Sequence, residues 1–335
     1  HLSLRRQRQM CIRDRTGVLL VNTGTPTAPR APEVRRFLRR FLADPRVVEL
    51  PRLFWLPLLN GVILPLRGPR SARNYQRIWT EAGSPLAVYG MQLRDALANE
   101  LQRTEPDRWL VDVAYLYAEP NVPAQLAAMR AAGARRLIVL PMYPQCSGTT
   151  TGAVFDQVSD VTRHWRALPE LRLIGDYHDD AHYIAALAAS VREHWERRGR
   201  DAHLLMSFHG IPQALVRKGD DYERQCHATG ALLAAALGLS RSEWSLSFQS
   251  RFGAAKWLGP ATDDRLEELA ASGTRRLVVM CPGFAVDCLE TLEEIAIGGR
   301  EIFMHAGGTD YDYIPALNGR ADHAAALARL IRAQD

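Results

Sequence analysis

Cysteines are few in this chain, and no two of them form a close pair. There are five in 335 residues, and no C-x-x-C pair occurs. A structural zinc site needs closely spaced ligands, and a disulfide framework needs a high density of cysteine. The sequence therefore argues against both and fits a reducing cytosol. We also expect no iron–sulfur cluster.

Long hydrophobic runs are also lacking. The longest apolar stretch, Leu53–Leu66, contains two prolines and a glycine. It is shorter than the roughly 20 residues that a transmembrane helix needs. We therefore interpret it as a surface that lines a pocket or rests on a membrane.

Several catalytic motifs are missing as well. The first strand is not followed by G-x-G-x-x-G, and neither G-x-x-x-x-G-K-[ST] nor a G-x-S-x-G elbow occurs. These absences remove the main support for a dinucleotide oxidoreductase, a P-loop enzyme and an α/β-hydrolase. The H-E-x-x-H motif, which would predict a permanent metal site, does not occur either.

Positive charge is concentrated at the start of the chain. Residues 1–15 hold five arginines and one aspartate, and without them the formal net charge falls from +5 to +1. They have neither the apolar region nor the cleavage site of a signal peptide, and residues 10–15 resemble the translation of a sequencing adapter. We interpret residues 1–15 as a non-native tail and expect no nucleic-acid partner.

Short apolar runs, bounded by turn residues, recur four times in each half of the chain. Runs of this kind are typical of parallel strands that are covered on both faces. They alternate with helical segments rich in alanine and leucine, and Gly133 and Gly273 end two of these helices in matching Gly-x-Arg-Arg sequences. The predicted strands are 17–22, 110–115, 137–140, 171–174, 204–208, 244–248, 277–280 and 302–304.

This alternation predicts an α/β fold with two Rossmann-like domains, each a parallel four-stranded sheet flanked by helices. The chain is longer than the length at which a single hydrophobic core stops growing, so two domains are expected. We place the first domain at 16–196, with a long insertion at 25–108, and the second at 197–319. A last helix at 320–335 is expected to pack back on the first domain.

Two groups of polar residues fall just after predicted strands of the second half, where ligands bind in open α/β sheets. His209 follows a buried strand, and imidazole can accept a proton or ligate a divalent metal. Asp287, Glu290 and Glu294 have the spacing of one acidic stripe on a helix. On position alone, a lone histidine is more often structural and an acidic stripe is more often a solvated face.

Six motifs, taken in order, resemble the ferrochelatase family over nearly all of 17–335. They lie at 17–26, 75–86, 143–147, 207–212, 248–260 and 282–292. The resemblance implies a chelatase fold with a porphyrin cleft and a lyase that inserts Fe²⁺ into protoporphyrin IX to give protoheme. This is the last step of heme biosynthesis. Porphyrin and ferrous iron are then substrates, and no permanently bound cofactor is expected.

The resemblance also assigns site residues. It makes His209 and Glu290 the catalytic and iron-binding pair, and Asp287 and Glu294 part of a proton or metal path. The residues implied to contact the porphyrin are Arg67, Tyr75, Ser84 and Tyr143. Some relatives have histidine where this chain has Cys288 and an acid where it has Gly298, so those two roles are not carried over.

Three alternatives remain open at this level. One is a chelatase for another tetrapyrrole, of the coproporphyrin or cobalt–sirohydrochlorin type. The others are a non-enzymatic two-lobed binding protein and a sugar-nucleotide transferase. We expect a cytoplasmic monomer or weak dimer, with peripheral contact to the inner membrane face through Leu53–Leu66.

Overall fold

The structure is a computed structural model and describes residues 15–253 and 255–334. These residues fall into two units. The first comprises 15–142, 148–176 and 319–334, and the second comprises 143–147 and 177–318. Most of the tail interpreted as non-native, 1–14, lies outside the described residues, whereas Arg15 is the first residue of a strand.

The first unit is built on a parallel sheet with the strand order β2-β1-β3-β4. The central strand β1 is apolar and fully buried from Val18 to Val21, as expected for a strand covered on both faces. Its register with its neighbours pairs Gly17 with Leu110 and with Leu137. The strands are β1 (Arg15–Asn22), β2 (Trp109–Tyr115), β3 (Ala134–Pro141) and β4 (Glu170–Leu173).

The insertion after β1 is entirely helical in its regular parts. Its elements are α1 (Ala31–Leu42), α2 (Arg52–Leu58), a short π-helix (Leu59–Ile63), α3 (Leu64–Ile78) and α4 (Pro85–Gln102). Trp55 anchors this segment, because its indole N–H donates to the Leu42 carbonyl at 2.7 Å. Among the described helices, none combines the length and the apolar character needed to cross a bilayer.

Three more helices complete the first unit: α5 (Val122–Ala131), α6 (Thr151–Thr162) and α12 (Ala321–Arg332). The Asn121 side chain caps α5 by accepting from the Ala124 N–H at 2.9 Å. Helix α12 packs on α4, where Arg332 donates to the Glu100 carbonyl at 3.0 Å. Helix α12 therefore packs back on the unit that contains β1.

The second unit repeats the same topology, with the strand order β6-β5-β7-β8. Its strands are β5 (His203–His209), β6 (Trp244–Gln249), β7 (Arg276–Met280) and β8 (Asp310–Ile314). Its helices are α7 (Ala181–Arg198), α8 (Gln213–Arg217), α9 (Tyr222–Leu237), α10 (Thr262–Ala271), a π-helix (Glu290–Gly299) and α11 (Arg300–His305). The predicted fold class, two parallel four-stranded sheets flanked by helices, is confirmed.

The division between the units differs from the expected position at 196/197. Helix α7 belongs to the second unit because it packs on α9 and on β8. Its last residue, Arg198, donates to Asp312 at 2.9 Å, and Tyr183 near its start donates to the Pro282 carbonyl at 2.8 Å. The boundary therefore precedes this helix, at 176/177.

One predicted strand is wrong. Residues 302–304 lie in α11, where Phe303 is fully buried in the core of the second unit. A short apolar run fits a buried helix as well as a strand. The fourth strand is instead β8, which begins just after Gly308, where an added Cβ would lie only 2.1 Å from the Phe303 ring.

Candidate active site

The carboxyl ends of three parallel strands lie at one edge of the second sheet. β5 ends at His209, its neighbour β6 ends at Gln249, and β7 on its other side ends at Met280. The Gly210 N–H donates to the Gln249 carbonyl at 2.8 Å, so the two neighbouring strand ends are joined beyond the sheet. This edge is where ligands bind in open α/β sheets.

His209 is half-buried at this edge, and its ring lies against Phe284 with 6.4 Å between ring centroids. Its Nδ1 is 2.6 Å from the Gly210 carbonyl oxygen. A carbonyl can only accept a hydrogen bond, so Nδ1 must carry the proton. In the neutral ring the lone pair then lies on Nε2, the nitrogen that can take up a proton or ligate a metal.

Glu290 is the first residue of the ten-residue π-helix Glu290–Gly299 and is half-buried. Its main-chain carbonyl accepts from the Gln249 side chain at 2.8 Å. π-Helices are rare, are mostly single turns, and occur frequently at functional sites. With i→i+5 hydrogen bonding, Glu290 and Glu294 lie on adjacent turns of one face.

Cys288 lies two residues before Glu290 and is buried. Burial raises the pKa of its thiol well above the ordinary value, and the negative charge of Glu290 raises it further. The thiol is therefore protonated and neutral near neutral pH. A neutral, weakly donating group thus lies beside Glu290.

Glu294 is held by Ser250 on both carboxylate oxygens. The Ser250 N–H donates to one oxygen at 2.8 Å, and its hydroxyl donates to the other at 2.5 Å. Burial nevertheless raises the pKa of Glu294 to about 7, and the charge of Glu290 adds to the rise. A carboxyl group with this pKa can both take up and release a proton near neutral pH.

Asp287 does not lie on the helix with the two glutamates, so the predicted three-residue acidic stripe is wrong. It precedes the π-helix and is buried. Its carboxylate accepts from Tyr313, Thr291 and Asn318 at 2.7, 2.8 and 2.7 Å. These hydrogen bonds connect the segment before the π-helix to the end of β8, which favours a structural contribution of Asp287. The role of Asp287 in a proton or metal path stays a prediction.

The residues implied to contact porphyrin are divided between the units. Tyr143 is half-buried in the second unit, whereas Arg67 and Tyr75 lie on α3 of the first. Ser84 is buried, and its hydroxyl is 2.7 Å from that of Thr25, which follows the end of β1. Ser84 is thus attached to the strand-end edge of the first sheet, and the porphyrin contacts of all four stay predictions.

Sequence analysis missed Gln249 and Ser250 as site residues. Both lie in the motif at 248–260 that carries part of the family resemblance, but no role was assigned to them. The available signal was their position, because Gln249 is the last residue of β6, as His209 is of β5, and Ser250 directly follows it.

The comparisons with known proteins decide the family. The family model described as Ferrochelatase matches residues 15–335. A ferrochelatase from Thioalkalivibrio sulfidiphilus is 53% identical over 94% of this chain and 85% of its own. One from Aeromonas hydrophila is 52% identical over 95% of this chain and 98% of its own. The chain belongs to the ferrochelatase family. It is therefore a lyase of heme biosynthesis whose reaction inserts iron into a porphyrin, as predicted.

Solved structures agree on the fold. SirB from Bacillus subtilis with Fe³⁺ superposes with a TM-score of 0.54 at 12% identity, covering 95% of this chain and 94% of that chain. CbiX, described as the terminal enzyme for siroheme biosynthesis in denitrifying bacteria, gives 0.52 at 14% identity and covers 95% and 98%. At this identity the likeness shows the chelatase fold alone.

Proposed function

We propose that this chain inserts Fe²⁺ into protoporphyrin IX to give protoheme, with His209 and Glu290 acting on the macrocycle. The observation that carries the proposal is their shared position. His209 ends β5, Glu290 begins the π-helix, and Gln249 is hydrogen-bonded to the main chain at Gly210 and at Glu290. Membership of the ferrochelatase family supplies the reaction.

The reaction itself explains why a base and a carboxylate are needed. A free-base porphyrin is nearly planar and carries two inner N–H protons, so iron enters only after the protons leave and a pyrrole lone pair turns out of the plane. A positioned base typically contributes about 10²–10⁴-fold to such a step. The Nε2 of His209 is suited to this proton transfer, because Nδ1 already carries the proton that it donates to Gly210.

Glu290 is the proposed oxygen ligand that receives ferrous iron, or the first acceptor of the released protons. Glu294 lies one turn further along the π-helix, and its pKa of about 7 suits a group that passes protons to solvent.

An anaerobic metalation assay tests the substrate assignment. The protein is incubated with ferrous iron and either protoporphyrin or coproporphyrin, and the porphyrin absorption bands are followed. We expect faster insertion into protoporphyrin. Faster insertion into coproporphyrin would show that coproporphyrin, and not protoporphyrin, is the preferred substrate. Absence of insertion into either porphyrin would favour a binding protein.

We also propose that the helical insertion of the first unit contacts a lipid surface. Leu53, Phe54 and Leu66 are 81%, 75% and 73% exposed, which is unusual for large apolar side chains. Helix α3, on which Leu66 lies, contains four arginines and no acidic residue. Exposed apolar side chains beside a basic helix are typical of a surface that binds anionic lipid.

Sedimentation with vesicles that contain phosphatidylglycerol tests the lipid contact. The double variant Leu53→Ser/Phe54→Ser should lose binding. Leu168→Ser is the matched control, because Leu168 is 69% exposed in another part of the first unit. Equal binding by wild type and the double variant would rule out this surface. The proposals of a cytoplasmic location and of a monomer or weak dimer rest on sequence alone.

A further inference from the structure

Gln249 joins several parts of the site through one buried side chain. It is 2% exposed. Its amide nitrogen donates to the Glu290 carbonyl at 2.8 Å, and its amide oxygen accepts from the Ser207 hydroxyl at 2.8 Å, with the Cys281 thiol at 3.5 Å. Its main-chain carbonyl accepts from the Gly210 N–H. The residue thus connects the ends of β5 and β7 with the start of the π-helix.

Ser250 makes the second connection to the same helix. It adopts a φ of +66°, a left-handed conformation that is uncommon outside glycine and that persists only where its surroundings hold it. In this conformation its N–H and its hydroxyl both point to the Glu294 carboxylate. Two successive residues, the last of β6 and the one after it, therefore hold two successive turns of the π-helix.

A π-helix benefits from such external contacts. Turns with i→i+5 hydrogen bonds are rare and mostly occur as single turns within α-helices, so a π-helix of ten residues is unusual. Here the main-chain carbonyl of Glu290, the first π residue, accepts a hydrogen bond from Gln249. One turn later, the Glu294 carboxylate accepts two from Ser250. The positions of both glutamates are thereby fixed relative to β6, and so relative to the neighbouring strand end that carries His209.

We infer that Gln249 and Ser250 are positioning residues that set where Glu290 and Glu294 stand relative to His209. The inference rests on the proposed roles of those three residues. It assigns no contact with porphyrin or iron to the two positioning residues. Their effect on the reaction should therefore appear in kcat rather than in porphyrin binding.

The first test replaces Gln249 and uses Ser207 as the matched control. Gln249→Met keeps the length of the side chain but cannot donate to the Glu290 carbonyl. We expect kcat to fall by about tenfold or more, which corresponds to the loss of one hydrogen bond that positions Glu290. The KM for protoporphyrin should stay within about twofold. Ser207→Ala removes a partner of the Gln249 amide oxygen but leaves the contact with Glu290, so its kcat should change much less.

The second test is a double-mutant cycle between Ser250→Ala and Glu294→Gln. If Ser250 acts through Glu294, the double variant should lose no more kcat than Glu294→Gln alone. Losses that multiply would overturn the inference for Ser250. If Gln249→Met fails to fold, as judged by circular dichroism, this cycle still tests the inference through Ser250.

Failure of the inference is distinguishable from failure of the proposed function. Glu290→Ala with wild-type turnover would remove the proposed role of Glu290 itself. An inactive Glu290→Ala beside a fully active, folded Gln249→Met would leave that role intact and overturn the positioning inference alone.

Discussion

The two units share one topology and differ in what stands at the ends of their strands. Both sheets have the order second, first, third, fourth strand. In the first unit the central strand β1 ends at Asn22, and the adjoining insertion exposes an apolar surface. In the second, the equivalent strand β5 ends at His209, and the third strand is followed by a π-helix that carries Glu290 and Glu294. The same scaffold therefore carries a candidate contact surface in one unit and candidate chemistry in the other.

The largest effect is expected on kcat, and it should distinguish the end of β5 from the equivalent end of β1. His209→Ala and Glu290→Ala should each lower kcat by about 10²–10⁴-fold, the usual contribution of a positioned acid or base. Asn22→Ala, at the equivalent position of the first unit, should lower it far less. The measurement is the rate of iron insertion, with Glu293→Ala as a control on the π-helix. A loss for Asn22→Ala as large as that for His209→Ala would break the comparison.

The next effect concerns stability in the second unit. Asp287→Asn keeps the shape of the side chain but replaces one carboxylate oxygen by an amide N–H₂. This donor then faces the buried donor of Asn318 or of Tyr313, so a hydrogen bond is lost. We expect the free energy of unfolding to fall by about 2–4 kcal/mol, because charged acceptors of buried hydrogen bonds are costly to lose. Urea unfolding measures this. A change near zero would show that the carboxylate does not stabilise the approach to the π-helix.

A smaller effect should depend on pH. The folded-state pKa of Glu294 is raised to about 7 from an ordinary 4.5, so the folded protein binds more protons than the unfolded chain between these values. Stability of the wild type therefore falls as pH rises through this window. Relative to wild type, Glu294→Gln should gain about 2–3 kcal/mol between pH 4 and pH 8. Denaturant unfolding at both pH values checks this, and a pH-independent difference would contradict it.

The smallest effect is expected in the first unit. Arg46 donates to both carboxylate oxygens of Asp156, at 2.7 and 3.0 Å, but both side chains are about half-exposed. Asp156→Asn should therefore lower the free energy of unfolding by no more than about 1 kcal/mol, and less at high salt. A larger loss in urea unfolding would show that this surface pair is coupled to the fold.

The fold could be predicted from the sequence wherever a strand was continuously apolar. Val18–Val21 and Leu277–Met280 are examples, and the glycines after two helices, Gly133 and Gly273, have the expected positive φ of 88° and 95°. β8 was missed because Asp310–Ile314 alternates polar and aromatic residues, as a strand at the edge of a sheet does. The nearby run at 302–304 gave a stronger apolar signal but belongs to a helix.

The site was only partly accessible from sequence. Motifs predicted catalytic roles for His209 and Glu290, and these roles stay predictions. The spacing of 287, 290 and 294 predicted an α-helical stripe, but the structure has a π-helix that begins after Asp287. The contacts of Gln249 depend on how neighbouring strands pair. The left-handed backbone at Ser250 has no signature in residue type. Both are tertiary properties.

The central claim is that His209 and Glu290 act on one porphyrin, and a double-mutant cycle in kcat tests it most directly. Residues that serve the same chemical step lose activity in a strongly non-additive way. We predict that the His209→Ala/Glu290→Ala variant inserts iron about as slowly as the slower single variant. Losses that multiply across the cycle, in folded proteins that still bind protoporphyrin, would show that the two side chains act independently and would contradict the account.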